Sequence, residues 1–212
     1  MHTLKLYGHY DSGHVYKVML FLELANIPYE YEQVDIWIDK QDRQADFLKH
    51  SRNGEVPCLL IDGQAYIQSN LILHKLASEY KIYGGESPQR LLQSLDWQFW
   101  EANRLGMCLP QLRYAKLFAP DEFNAQSLAF LKNRFDQDIA VLAGQFSDGR
   151  DFILDDNPGI ADFSICGYLY WADEADLQLP EMVNSWLDRI SQLPGWQPPY
   201  DMMKKNGKQD IK

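Results

Sequence analysis

Residues 3–24 read TLKLYGHYDSGHVYKVMLFLEL, and their pattern changes period midway. From Thr3 to Gly8 polar and apolar residues alternate, the signature of a half-buried strand. Asp11-Ser12-Gly13 then interrupts, and from Val15 to Leu24 apolar residues return at helical spacing behind a serine suited to a helix start. The stretch therefore predicts a strand, a turn and a helix.

Working outward, Pro28 opens YEYEQVDI (29–36) with strand character, and residues 40–50 have a helical pattern, so the chain begins β-α-β-α. Two short strands, Val56–Ile61 and Gln64–Ile67, flank Asp62-Gly63 and predict a hairpin. A helix over Ser69–Tyr80 completes the unit. The turn-formers of Tyr83-Gly84-Gly85-Glu86-Ser87-Pro88 mark a linker, beyond which no strand pattern recurs. The expected division is 1–82 for an α/β domain, 88–200 for an all-α domain and 201–212 for a tail dispensable to packing. Within the second domain, a long helical stretch from Pro88 to Ala119 is expected to bend or break near Pro110, which removes a backbone donor. Leu128, Leu131, Phe135, Ile139, Leu142 and Phe146 recur every three or four residues and predict a strongly amphipathic helix. Ile160–Ala175 and Glu181–Ser191 supply two more.

Composition narrows the function. The 212 residues are 46% hydrophobic, enough for a sizeable core. Lys and Arg total 20 against 30 Asp and Glu, and a net charge of −10 repels nucleic acid and anionic lipid surfaces. Cys58, Cys108 and Cys166 lie far apart with no C-x-x-C pair, which fits free, buried thiols in a reducing cytoplasm. The N-terminus lacks the basic-then-apolar form of a signal peptide, and Glu23 cuts the apolar run well short of a membrane span. The five histidines show no ligand spacing, so no metal site is expected.

Particular stretches carry a resemblance. LYGHYDSGHVYKVMLFLELANIPYE (6–30), GEVPCLLIDG (54–63) and IQSNLILHKLASEY (67–80) resemble the first domain of bacterial glutathione S-transferases of the serine-dependent type. NPGIADFSICGYLYWADE (157–174) and WLDRISQLPGWQPP (186–199) resemble the helix-capping segment and close of the second. The resemblance runs over residues 3–200. It implies a glutathione S-transferase fold, with a thioredoxin-like first domain and an all-helical second. It also implies glutathione as co-substrate, a homodimer and a role in detoxification.

The chemistry such a protein needs is a cysteinyl thiolate, since a free thiol titrates near 8.5 and the thiolate is the nucleophile. Ser12, between strand and helix, can donate its hydroxyl to that sulfur while the helix N-terminus adds a positive dipole end. One hydrogen bond to an anion contributes about 1.5–3 kcal/mol, and a pKa unit corresponds to about 1.4 kcal/mol, so one or two units are within reach. The same serine also suits a plain N-cap, and Tyr7, at the end of the first strand, is a rival hydroxyl used by other branches of the family. His14 stands where many relatives carry asparagine and reads either as a charge near the sulfur or as a neutral, solvent-facing ring.

The resemblance assigns the remaining glutathione contacts. Val56-Pro57 matches a pair in which a cis-proline presents the preceding backbone to the cysteinyl part of glutathione like an added strand. Gln68-Ser69 matches a pair that holds the γ-glutamyl end at a helix start; glutamine in place of the usual glutamate removes a negative charge. Lys40, Arg43 and Arg52 are candidates for the glycine carboxylate, the alternative for each being a solvated charge. Ser51-Arg52-Asn53-Gly54 departs there from the usual Asn-Pro-x-Gly. Gly159-Ile160-Ala161-Asp162 matches a capping box in which glycine replaces the hydroxyl residue, a folding motif. The electrophile pocket is expected between the domains, near Tyr10, Arg104, Cys108 and Gln111. The function this implies is conjugation of glutathione to small apolar electrophiles, the alternatives being glutathione-dependent disulfide or peroxide reduction and a non-catalytic glutathione-binding or protein-interaction module.

Overall fold

The computed structural model describes residues 2–206. They form two compact units, one of residues 2–76 with 193–206, the other of residues 77–192. The α/β first domain and helical second domain expected from the sequence are both present.

The first unit holds β1 (Leu4–Gly8), α1 (Gly13–Leu24), β2 (Glu30–Gln33), α2 (Ala45–His50), β3 (Cys58–Ile61), β4 (Gln64–Ile67) and the start of α3 (Ser69–Tyr80). Its sheet has the order β2-β1-β3-β4, with β1 parallel to β2 and antiparallel to β3, and β3 antiparallel to β4. Strand alternation sorts the core onto two faces. Tyr7 and Cys58 pack with Val34 and Phe47 on one face, while Leu6 and Leu59, one residue out of phase, point the other way; all six are fully buried. Gly8 ends β1 where space runs out: a Cβ there would lie 2.6 Å from Val15 Cγ1 and 2.8 Å from the Tyr31 ring. The helical stretch expected over 40–50 is a 3-10 turn at Lys40–Asp42 followed by α2. β3 begins only after Pro57, which has no N–H for a ladder.

The second unit contains α4 (Pro88–Asn103), α5 (Leu105–Leu117), α6 (Ala125–Gln145), α7 (Ile160–Leu169) and α8 (Glu181–Ser191). The expected break in the first long helix occurs at Arg104, with φ −121 and ψ −98, and not near Pro110. Just after the break, the Gly106 backbone lies so close over the end of α4 that a Cβ would lie 2.8 Å from Glu101 Oε1. Pro110 sits inside α5 at the cost of one hydrogen bond. Phe135, Ile139 and Leu142 of α6 are buried as their spacing predicts. The helix expected over Ile160–Ala175 ends at Leu169, and Asp173–Ala175 is a 3-10 turn.

The segment expected as a tail is structured where it is described. Residues Pro199–Asn206 form α9, with Met202 and Met203 buried. Two adjacent methionines are too short an apolar run to reveal a helix by period. Residues 207–212 of that expected tail lie outside the described residues.

Candidate functional site

Sheet register decides which loops meet. Tyr7 pairs with Cys58, Cys58 with Ile67, and Gly8 with Gln33. The chain leaving β1 toward Ser12, the chain entering β3 through Val56-Pro57, the chain leaving β4 at Gln68-Ser69 and the chain leaving β2 toward Lys40 therefore all emerge at one end of the sheet. Segments as distant in sequence as Ser12 and Ser69 are gathered by strand pairing.

Ser12 is the N-cap of α1, with φ −117 and ψ 110 and 6% exposure. Its Oγ accepts the Val15 N–H at 3.3 Å, and its carbonyl accepts Val15 and Tyr16 N–H at 3.0 Å each. A hydroxyl that accepts in this way keeps its proton for a further acceptor beyond the helix end. The N-cap reading of Ser12 is observed directly, and the cap uses a lone pair of the hydroxyl while leaving its donor. Tyr7 differs: its hydroxyl donates to Asp46 Oδ2 at 2.6 Å, and its fully buried ring packs on Phe47. Burial, followed by the Asp46 bond, holds the Tyr7 phenol above its ordinary pKa.

His9 shapes the loop between β1 and Ser12. Its carbonyl accepts the Ser12 N–H at 3.1 Å, and its Nδ1 accepts the Asp11 N–H at 3.1 Å. The ring is 2% exposed, lying 4.3 Å from the Tyr10 ring and 6.1 Å from Trp37. Burial pushes its pKa down to about 4, against the pull of Asp11 and Asp35, so the imidazole is neutral at pH 7. His14 is half-buried in the first turn of α1.

The Val56-Pro57 peptide is cis. Gln68 has φ 76, a left-handed backbone that a non-glycine residue adopts at a cost, and such positions cluster at functional sites. Its carbonyl accepts the Ile72 N–H at 3.0 Å, which leaves buried Ser69 and the first-turn N–H groups of α3 at the helix start. Lys40 is exposed and donates to Glu55 at 2.7 Å. Arg43 is a structural clamp: nearly buried, it donates to the carbonyls of Gly54, Ile36 (2.7 Å) and Ile38 (3.4 Å). The departure at Ser51-Arg52-Asn53-Gly54 forms a closed turn, with Ser51 Oγ bonded to both Glu55 N and Glu55 O and Gly54 at φ 63. Arg52 is exposed on that turn.

In the helical unit, Cys108 and Gln111 share a cavity of about 580 Å³ with Met107, Phe123, Phe130 and Arg134. Arg104 is not in its lining and lies 3.8 Å from Asp138. Tyr10 belongs to the first unit, half-buried beside His9. The Cys108 Sγ donates to the Arg104 carbonyl at 3.1 Å, and burial pushes its thiol up to about 11, as it does for Cys58. Asp162 accepts N–H bonds from Gly159 (2.9 Å), Ile153 (2.9 Å) and the Trp186 ring (2.8 Å), with burial holding its pKa up at about 6. Gly159 has no side chain, so only the backward half of the capping box operates.

Sequence reasoning missed the clamp at Arg43, the aromatic packing of Trp37 on His9, and Phe130 in the cavity. Phe130 had a legible signal, since it falls off the apolar stripe of Leu128, Leu131 and Phe135. Arg43 had none, because its partners are backbone carbonyls. Among the described residues no cluster of three or more His, Cys, Asp or Glu could hold a metal, and no helix is long and apolar enough to cross a membrane.

Known proteins share this arrangement. A family model described as the glutathione S-transferase N-terminal domain matches residues 11–79, and one described as the C-terminal domain matches residues 125–198. Glutathione S-transferase GstB of Escherichia coli (strain K12) is 26% identical over 207 residues, spanning 90% of this chain and 94% of that protein. Human glutathione S-transferase A3 is 29% identical over 149 residues, and this match spans 66% of the chain and 63% of A3. A crystal structure of glutathione S-transferase from Pseudomonas fluorescens superposes with a TM-score of 0.84 at 30% identity, covering 92% of this chain and 98% of that one. With both domains matched and the loops of the thioredoxin-like sheet gathered at one end, the chain belongs to the glutathione S-transferase family.

Proposed function

We propose that the protein is a serine-dependent glutathione transferase that conjugates glutathione to small, largely apolar electrophiles. The observation that carries this reading is the geometry of Ser12, whose oxygen is engaged by Val15 while its proton stays available at the N-terminus of α1. Ser12 donates to the cysteinyl sulfur, and the dipole of α1 adds to the stabilisation of thiolate. Val56 pairs through its backbone with the cysteinyl part, held in place by Pro57. Ser69, Gln68 and the first turn of α3 receive the γ-glutamyl end, and Lys40 and Arg52 offer charge to the glycine carboxylate. His14 adds a polar group in the first turn of α1. The thiol proton leaves to solvent, the sulfur lone pair forms the new carbon–sulfur bond, and the electrophile releases its leaving group or takes up a proton.

The cavity of the helical unit lined by Cys108 and Gln111 has a volume and lining suited to an apolar electrophile. The high thiol pKa values of Cys58 and Cys108 favour conjugation over thiol–disulfide exchange on the protein's own cysteines. The reading includes a cytoplasmic homodimer.

Calorimetry with glutathione tests binding, and its absence would remove conjugation and glutathione-dependent reduction together. With binding present, Ser12→Ala should raise the pKa of the bound thiol by about one to two units, followed by thiolate absorbance against pH. An unchanged pKa takes Ser12 out of the mechanism.

A further inference from the structure

Residues 195–200 run antiparallel alongside α1, meeting it near its end and near its start, and meeting the loop just before it. Near the end, Gly195 (φ 96) packs so closely that a Cβ would lie 3.2 Å from the Glu23 carbonyl. Near the start, the fully buried Tyr16 donates its hydroxyl to the Gln197 carbonyl at 3.1 Å. In the loop before the helix, Asp11 Oδ1 accepts a hydrogen bond from the Tyr200 hydroxyl at 3.4 Å. Met202 and Met203 anchor the far end in the core. Pro198 and Pro199 stiffen the stretch between, because each ring locks its own φ, and Pro199 opens α9 at a position where the missing N–H costs nothing.

Asp11 is the residue before Ser12, and its own N–H is tied to the His9 ring. We propose that residues 193–206 form a strap that positions the Ser12 turn, with Tyr200 as the positioning residue acting through Asp11. Two consequences follow from the chemistry of that contact. The phenol fixes the loop at its carboxylate side chain, so that the Ser12 hydroxyl keeps one direction. The donated hydrogen bond also spreads part of the Asp11 charge onto Tyr200, and a carboxylate beside Ser12 with one donor fewer would oppose a thiolate more. The effect on chemistry rests on the reading of Ser12 as the thiolate partner; the positioning of the loop does not.

The test is Tyr200→Phe in the full-length protein, which keeps the ring and its contact with Lys204, 5.6 Å from its centroid. Amide hydrogen exchange without glutathione should rise roughly two- to five-fold at residues 11 and 12, as expected for loss of one long hydrogen bond, while residues 18–22 of α1 stay unchanged. Asp11→Asn should produce a similar rise, and the double variant should not exceed the larger single effect. Unchanged exchange at residues 11 and 12 with an unaltered melting temperature, or full additivity of the two substitutions, overturns the strap. If glutathione binds, the same variant should raise its Kd and the pKa of its thiol. If exchange responds but glutathione fails to bind, the strap stands and the proposed function falls.

Discussion

Helices α1 and α7 both start with a polar residue in the cap region, and they satisfy their backbones differently. At α7, Asp162 is 1% exposed and accepts three N–H bonds, from its own helix start, from Ile153 and from Trp186 on α8. At α1, Ser12 accepts a single side-chain bond from Val15 and keeps a donor. A saturated polar group has nothing left to offer a ligand, so Asp162 ties three segments of the helical unit together. An unsaturated one at a helix N-terminus retains chemistry, and that is the position Ser12 holds.

The contrast can be broken most sharply at Asp162. Asp162→Ala orphans three donors in the core and should cost about 3–5 kcal/mol in denaturant unfolding, whereas Ser12→Ala, losing one cap bond, should cost only about 1 kcal/mol. Equal losses would mean that the two starts do the same work.

The next effect concerns the loop before α1 and its pH dependence. His9 has a folded pKa of about 4, below the ordinary value of 6.5. Between these values the unfolded chain takes up a proton that the folded chain refuses, so the contribution of His9 is complete above pH 6.5 and is lost as pH falls toward 4. Stability should drop over that window, and His9→Phe should flatten the drop. An unaltered slope in the variant would show that the imidazole is not held neutral by its burial among Tyr10 and Trp37.

The smallest effect belongs to Lys40. Its bond to Glu55 joins two exposed side chains, so Lys40→Ala should change stability by less than about 1 kcal/mol. If Lys40 meets the glycine carboxylate, the same variant should weaken glutathione binding measured by calorimetry; an unchanged affinity would assign that role elsewhere, with Arg52 the remaining candidate.

Much of this was legible in the chain itself. The change of period between Gly8 and Val15 located β1 and α1, and Asp62-Gly63 located the β3–β4 hairpin, because both signals are local. The break at Arg104 was misplaced onto Pro110, since a proline is visible in sequence while the crowding of Gly106 against Glu101 exists only once α4 and α5 are folded. Arg43 read as one of three equal cations until the carbonyls of Ile36, Ile38 and Gly54 closed around it. The strap from Gly195 to Met203 was invisible because its partners, Glu23, Tyr16 and Asp11, lie about 170 residues or more away and in reverse order.

Sequence by itself determined the order of the elements, the family resemblance and the presence of two hydroxyls, Tyr7 and Ser12, near the end of the first strand. Tertiary structure shows what each of them meets. The Tyr7 hydroxyl donates a hydrogen bond to Asp46, 39 positions away, while the Ser12 hydroxyl oxygen accepts the Val15 N–H of its own helix. The reason is physical: periodicity reports which side chains are buried, but whether a buried hydroxyl still has a proton to give depends on what the rest of the fold brings against it.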